Sequence, residues 1–275
     1  MFEIKKIITM ALEEDIGTGD VTSEALLMKK QVASGKIVAK EAFVLAGIEI
    51  AREVFETVNP CTIFRASKKD GDKIKEGTVL AEMTGNVVDL LVAERTALNF
   101  IQRLSGISTI TAAFVGKVRG RATIVDTRKT IPGLRSLEKY AVKIGGGNNH
   151  RVGLFDGILI KDNHIAACGG ITEAVTRAQK NAPHTLKVEV EVSSMDEVQE
   201  ALDCGANIIM LDNMDVEKMR EAVKLIGEQA LIEASGNVSL DNVDDIALTG
   251  VDFISVGALT HSAPAVDISM KIEGN

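Results

Sequence analysis

Tryptophan is absent from the 275-residue chain and tyrosine occurs once. With 31 basic against 39 acidic residues, a net charge of −8, the chain lacks both the positive field and the stacking surface by which nucleic acid is usually held. Nucleic acid is therefore excluded as a partner. Cys61, Cys168 and Cys204 are odd in number, widely spaced and outside any CxxC pattern, which leaves neither a disulfide framework nor a zinc knuckle. A reducing cytoplasm is the expected location. No run approaches the roughly 18 apolar residues that span a bilayer, and the opening MFEIKKIITMALEEDIGTGD has acids where a secretory leader keeps an apolar core. A soluble, unexported protein with no membrane partner is expected. What remains is ordinary globular material, 45% hydrophobic and 25% charged, long enough for about two domains.

Residues 1–30 read as a short helix, the loop DIGTGD and a second helix starting at Thr22 or Ser23. Asp15 and Asp20 lack the closing bidentate Glu of a cation loop, so the loop reads as a structural turn. Short β-type runs follow, SGKIVAKEAFVLAG, CTIFRAS and VVDLLVAE, with DGDKIKEGTVLAEMTG as a turn pair among them. That pair resembles a biotinyl or lipoyl hairpin but has no lysine at an exposed tip. AERTALNFIQRLSGIST reads as a helix linking two domains, with Ala97, Leu98, Ile101 and Leu104 on one side.

Beyond about residue 120 six apolar runs recur, ATIVDTRK, GILIKDNH, LKVEVEV, NIIMLDN, ALIEASGN and DFISVGAL, each separated by enough chain for a helix. This is the rhythm of βα units and parallel strands, and six in series point to a closed barrel. Residues two apart in a strand share a face. Val188, Val190 and Val192 thus belong against helices, and Lys187, Glu189 and Glu191 in the lumen. The same parity puts Asp126, Arg128, Lys161, Asp212, Glu233, Ser235 and Gly257 at the C-terminal rim, where βα barrels assemble active sites.

From Asp126 to Lys161 seven basic residues face three acids, a local +4 against −12 elsewhere. Arg135, Lys139 and Lys143 fall on a helix and read mainly as solvated surface. Arg128, His150, Arg151 and Lys161 lie at strand ends or in the irregular GGGNNHRVG loop, where guanidinium forks suit carboxylates and phosphates. Glu189, Glu191, Asp212 and Glu233 supply the opposite charge, fit to hold Mg²⁺ on a polyphosphate or to stabilise a cationic sugar. The small residues of ASGN and VGAL leave backbone N–H groups open to an oxyanion. Together these residues call for a phosphorylated, metal-bound ligand and a small carboxylate.

The stretch DTRKTIPGLRSLEKYAVKIGGGNNHRVGLFDGILIKDNHI, with AERTALNFIQRLSGIST before it and VEVEV, LDNM, EASGN and FISVGALTHSAPAVDIS after it, resembles the nicotinate-nucleotide pyrophosphorylase (quinolinate phosphoribosyltransferase) family over nearly the whole chain. The resemblance implies an α/β protein: a small N-terminal α+β domain, placed at 1–105, and a C-terminal open βα barrel, placed at 106–275. It implies a homodimer with shared active sites, and Mg²⁺-dependent conversion of quinolinate and phosphoribosyl pyrophosphate (PRPP) to nicotinate mononucleotide, pyrophosphate and CO₂. Position by position, it implies that Arg128, His150 and Arg151 clamp the dicarboxylate, with Arg95 reaching in from the partner. Lys129 and Lys161 would meet PRPP and pyrophosphate. Glu191 and Asp212 would lie near ribose and metal, and Ser235, Gly236 and Gly257 would cradle the 5′-phosphate. Arg95 on its own reads as a solvated helix charge.

Three other readings compete, one of them a non-catalytic phosphate- or pyridine-binding module. A Schiff-base lyase would use the strand-end Lys161, and a paralogous group associated with molybdenum transport shares the layout. NVDDIALTG echoes the PRPP loop of a different phosphoribosyltransferase class, but no buried strand precedes it, so it reads as a helix with a glycine stop. His164 is expected behind the site, and His184 and His261 at the surface or in structural roles.

Overall fold

The computed structural model describes residues 2–27 and 31–273, which fall into two compact units. The first comprises residues 1–110, 131–145 and 263–275, and the second residues 111–130 and 146–262.

The first unit opens with α1 (Phe2–Ile16) and α2 (Val21–Leu26). Asp20 is the cap between them, ahead of the start expected at Thr22 or Ser23, and its carboxylate accepts from the N–H groups of Thr22 at 3.0 Å and Ser23 at 3.1 Å. Asp15 belongs to α1. Then come β1 (Val32–Ala39), β2 (Phe43–Val44), α3 (Ile48–Val58), β3 (Ile63–Ala66), β4 (Lys73–Ile74) and β5 (Val79–Asn86). Alternation along β1 buries Ala33, Ile37 and Ala39, and α3 turns Ile48, Ala51, Val54 and Phe55 inward at helical spacing.

The run VVDLLVAE, expected as a strand, instead begins α4 (Val87–Val118). Asn86 starts it, its Oδ1 accepting from Val88 N–H at 3.0 Å. Val87, Leu90, Ala93 and Ala97 are then buried on one helical face. Ala97, Leu98, Ile101 and Leu104 are buried as expected. Below them Ser105 accepts from Ala46 N–H at 3.0 Å and Thr109 from Val44 N–H at 2.9 Å, completing the ladder of the short β2. Residues of α4 up to Ile110 count with the first unit and those from Thr111 with the second.

The second unit holds the six expected strands. They are β6 (Thr123–Val125), β7 (Ile158–Ile160), β8 (Val188–Val192), β9 (Ile208–Asp212), β10 (Leu231–Ser235) and β11 (Phe253–Ser255). All pair in parallel in the order β6-β11-β10-β9-β8-β7. Among the described residues β6 and β7 share no ladder. The closed ring expected of six units in series is thus not completed by hydrogen bonding at this seam, where the chain leaves the second unit at Ile131 and re-enters it at Gly146. Only an isolated bridge from Val125 to Asn148 extends the β6 edge.

Between these strands α5 (Arg135–Ile144) falls in the first unit. The second unit carries α6 (Asp162–Cys168), α7 (Ile171–Asn181), α8 (Met195–Asp203), α9 (Val216–Ile226), α10 (Val243–Ala247) and α11 (Ala258–His261). NVDDIALTG is α10 and its stop, with Gly250 at φ +97°. Finally β12 (Ile268–Glu273) pairs antiparallel with β1, giving the first unit a sheet of order β12-β1-β5-β3.

Within the first unit Glu138 of α5 is fully buried. Its Oε1 accepts from Arg103 Nη2 at 2.7 Å, and Arg103 Nη1 donates to Ala263 O at 2.9 Å. Lys139, expected at the surface, is buried as well.

Candidate active site

Short strands followed at once by polar residues bring side chains from five elements to one place. The parity of β8 holds: Val188, Val190 and Val192 are buried against the helix layer, and Glu189 and Glu191 turn into the lumen. A cavity of about 650 Å³ opens there, at the strands' C-terminal ends. Arg128, Lys129, His150, Arg151, Lys161, Glu191, Asp212, Ser235 and Gly236 all line it.

On one wall, Arg151 donates from Nη1 to Gly157 O at 3.1 Å. Burial, and then the positive charge of Arg128, lower the pKa of Arg151. Glu189 and Asp156 oppose that shift without cancelling it, so the paired guanidiniums favour an anionic ligand. Asp126 is completely buried and accepts from His150 N–H at 2.9 Å, which fixes the start of the loop. The imidazole is fully engaged. Its Nδ1 accepts from Arg151 N–H at 2.8 Å, which places the ring proton on Nε2, 3.1 Å from Glu189 Oε2 and 3.7 Å from Glu233 Oε1.

On the opposite wall Lys161 Nζ pairs with Glu191 Oε2. Lys161 also caps α6, its backbone N–H donating to His164 Nδ1 at 3.0 Å, which places His164 behind the site as expected.

The third region is a cradle. Asn213 N–H donates to Ser235 O at 2.9 Å, Asn213 Nδ2 to Asp212 Oδ2 at 2.8 Å, and Asn237 Nδ2 to Asn213 Oδ1 at 2.9 Å. Asn213, Gly236 and Asn237 all have positive φ, and a Cβ on Gly236 would stand 2.8 Å from the Asn213 backbone nitrogen. An adjoining cavity of about 350 Å³ joins Ser235, Gly236 and Asn237 to Lys129, Gly257 and His261. Lys129 is tethered there by its carbonyl, which accepts from Thr260 Oγ1 at 2.7 Å.

Comparison with known proteins bears directly on this arrangement. The family model for the quinolinate phosphoribosyl transferase N-terminal domain matches residues 20–105, and that for the C-terminal domain matches residues 107–271. The chain belongs to the quinolinate phosphoribosyl transferase family. A Bacillus subtilis relative named as a probable nicotinate-nucleotide pyrophosphorylase (carboxylating) is 45% identical over 98% of this chain and 93% of its own length. A chloroplastic nicotinate-nucleotide pyrophosphorylase (carboxylating) from Arabidopsis thaliana is 44% identical over 99% and 83%. The crystal structure of NadC from Streptococcus pyogenes superposes with a TM-score of 0.95 at 42% identity, covering 99% of this chain and 97% of that one.

Within this quinolinate phosphoribosyl transferase family member, then, ten of the residues singled out from sequence, Glu233 among them, converge on one cavity, and Gly257 joins them through the adjoining one. Arg95 does not line either; it is exposed on α4, in the first unit. Arg135, Lys139 and Lys143 also belong to the first unit. Sequence reading missed Asn213 and Asn237 as site residues; His261, expected at the surface or in a structural role, is exposed and also lines the adjoining cavity. The overlooked signal for His261 is its spacing, one helical turn after Gly257 on α11, which places the ring over that glycine.

Proposed function

We propose that this chain transfers the phosphoribosyl group of PRPP to quinolinate and decarboxylates the adduct to nicotinate mononucleotide, with pyrophosphate and CO₂ as the other products. The observation that carries the reading is the charge layout of the main cavity. Two guanidiniums stand on one wall, lysines and carboxylates on the other, and a glycine–asparagine cradle beyond. A planar dicarboxylate suits paired forks, so Arg128 and Arg151 take quinolinate, with His150 seated between them. Lys129 and Lys161 face the pyrophosphate. Ser235, Gly236 and Gly257 offer backbone donors to the 5′-phosphate. Glu191 and Asp212 flank the ribose, where positive charge grows at the anomeric carbon as pyrophosphate departs and the pyridine nitrogen bonds to it.

The residues present fit Mg²⁺. Glu191 and Asp212 offer hard carboxylate oxygens from adjacent strands, and Mg²⁺ is typically held by one or two carboxylates together with substrate phosphates. When bound, it neutralises charge on the departing pyrophosphate. Each active site is read as shared in a homodimer, the partner subunit's Arg95 completing the clamp.

The test is a direct assay. Quinolinate, PRPP and Mg²⁺ should yield nicotinate mononucleotide, followed by pyridine absorbance and by CO₂ release. No product at micromolar enzyme would overturn the reading.

A further inference from the structure

Decarboxylation leaves a chemical demand that none of the residues assigned so far meets. When the C2 carboxylate of the N-ribosylated ring departs, the C2–carboxyl bond breaks, CO₂ leaves and the electron pair stays on C2. A proton must then be added to that carbon. Until it is, the C2 anion can recapture CO₂, so net release waits on the proton.

The floor of the main cavity holds a group suited to this task. Glu233 on β10 and Glu189 on β8 are each only 4% exposed, and with His150 they place three ligand atoms within 4.8 Å of one another. One oxygen of each carboxylate, Glu189 Oε1 and Glu233 Oε1, is buried without a hydrogen-bond partner. Two ionised carboxylates so placed would repel each other in a medium that solvates neither. Glu233 is the one that gives way. Burial first, and the Glu189 charge second, push its carboxyl up to about 7, against the pull of His150, Ser255 and Lys161. The other charged groups on the two cavities it lines are Arg128, Lys129, Arg151, Glu191 and Asp212 on the first and Asp156 and Lys187 on the second.

Glu233 also lies on two cavities at once. A second one, of about 320 Å³, is walled by Ile158, Ile208 and Phe253, the first residues of their strands, and by Val125, and His150, Arg151 and Glu233 line both. A carboxyl in that position faces substrate on one side and a separate chamber on the other.

We propose that Glu233 is the acid that protonates C2 after CO₂ departs, and that water in the second cavity returns a proton to it. The step balances: the carboxyl O–H bond breaks, the C2–H bond forms, and the carboxylate left behind is reprotonated from solvent. This inference rests on the function proposed above, and its test separates the two.

In single turnovers with C2-carboxyl-labelled quinolinate and PRPP, pyrophosphate and CO₂ release are timed in the wild type, Glu233→Gln and Glu233→Asp. Glu233→Gln should release pyrophosphate within about threefold of wild type but CO₂ about 100-fold more slowly, the scale of a lost general acid. Glu233→Asp should recover part of the CO₂ step. In the wild type, CO₂ release should decline above a pH of about 7 while pyrophosphate release does not. An equal fall of both releases in the two variants, or CO₂ release at the wild-type rate in Glu233→Gln, overturns the proposal. A wild type that forms neither product overturns the functional reading instead.

Discussion

Replacing Gly236 with alanine tests whether the cradle's shape is set by backbone geometry. Gly236 has φ +91°, and a Cβ there would lie 2.2 Å from Asn213 Oδ1 and 2.8 Å from Asn213 N. Neither atom is free to withdraw. The amide nitrogen donates to Ser235 O at 2.9 Å, and the side chain is held by Asp212 at 2.8 Å and Asn237 at 2.9 Å. A left-handed alanine costs about 1–2 kcal/mol, and displacing Asn213 forfeits two or three hydrogen bonds at about 1 kcal/mol each. The expected loss is therefore about 3–5 kcal/mol, or roughly 6–20 °C in Tm for a domain of 150–250 residues. Thermal unfolding with and without PRPP, paired with calorimetric titration of PRPP, checks both consequences. The variant should melt early, gain little from PRPP and bind it at least tenfold more weakly. A Tm within about 1 °C of wild type with undiminished PRPP affinity would refute the reasoning, since the overlap with backbone nitrogen leaves no cheap relaxation.

Arg103→Met should cost about 3–5 kcal/mol, because it strands the fully buried Glu138 carboxylate; a loss below about 1 kcal/mol in urea unfolding would show that the pair is expendable. Glu233 is raised from 4.5 to about 7, so the native state holds its proton more tightly than the unfolded chain and the wild type loses stability as pH rises through that window. Glu233→Gln lacks that loss, and unfolding at pH 5 and pH 8 should shift the difference toward the variant by about 3 kcal/mol; parallel wild-type and variant profiles would contradict the shift. Mixing inactive Arg95→Ala and Lys161→Ala proteins should restore up to about a quarter of wild-type activity, because a random mixture makes about half mixed dimers, each with one intact site. No recovery after demonstrated subunit exchange would place Arg95 in its own chain's chemistry or in structure alone.

What could be read from sequence was what has a local period. LKVEVEV announced its two faces, and Val190 at 0% exposure beside Glu191 in the cavity wall shows why: a pleated strand between helices and lumen admits one pattern. The six strands and the basic loop were legible for the same reason. VVDLLVAE was not, because six β-branched or apolar residues near a turn satisfy either period until Asn86 caps the helix. Pairings across long separations left no trace either. Nothing in ISMKIE says that it lies against Val32–Ala39, and nothing in LRSLEKYAVK says that Glu138 meets Arg103. In the site, charged residues at strand ends were visible, whereas Asn213 and Asn237 act through backbone conformations that sequence does not display. The state of Glu233 depends on a neighbour two strands away, and so emerged only with the fold.

The partnership of β12 with β1 has a consequence for how the chain is made. The first unit's sheet is complete only when Ile268–Glu273 lies in register with Ser34–Ala39, and Ala263 and Pro264 pack on the Arg103–Gly106 turn of α4. On the ribosome these residues emerge only after the whole of the second unit. Between Val118, where α4 ends, and Glu273, translation at about 5–20 residues per second takes on the order of ten to thirty seconds. Throughout that interval the nascent chain carries β1 with one edge unpaired, a surface on which other strands can add. A sheet begun before the second unit is thus completed only after it, and its exposure to aggregation or to chaperones is set by the time needed to translate everything between α4 and the closing strand.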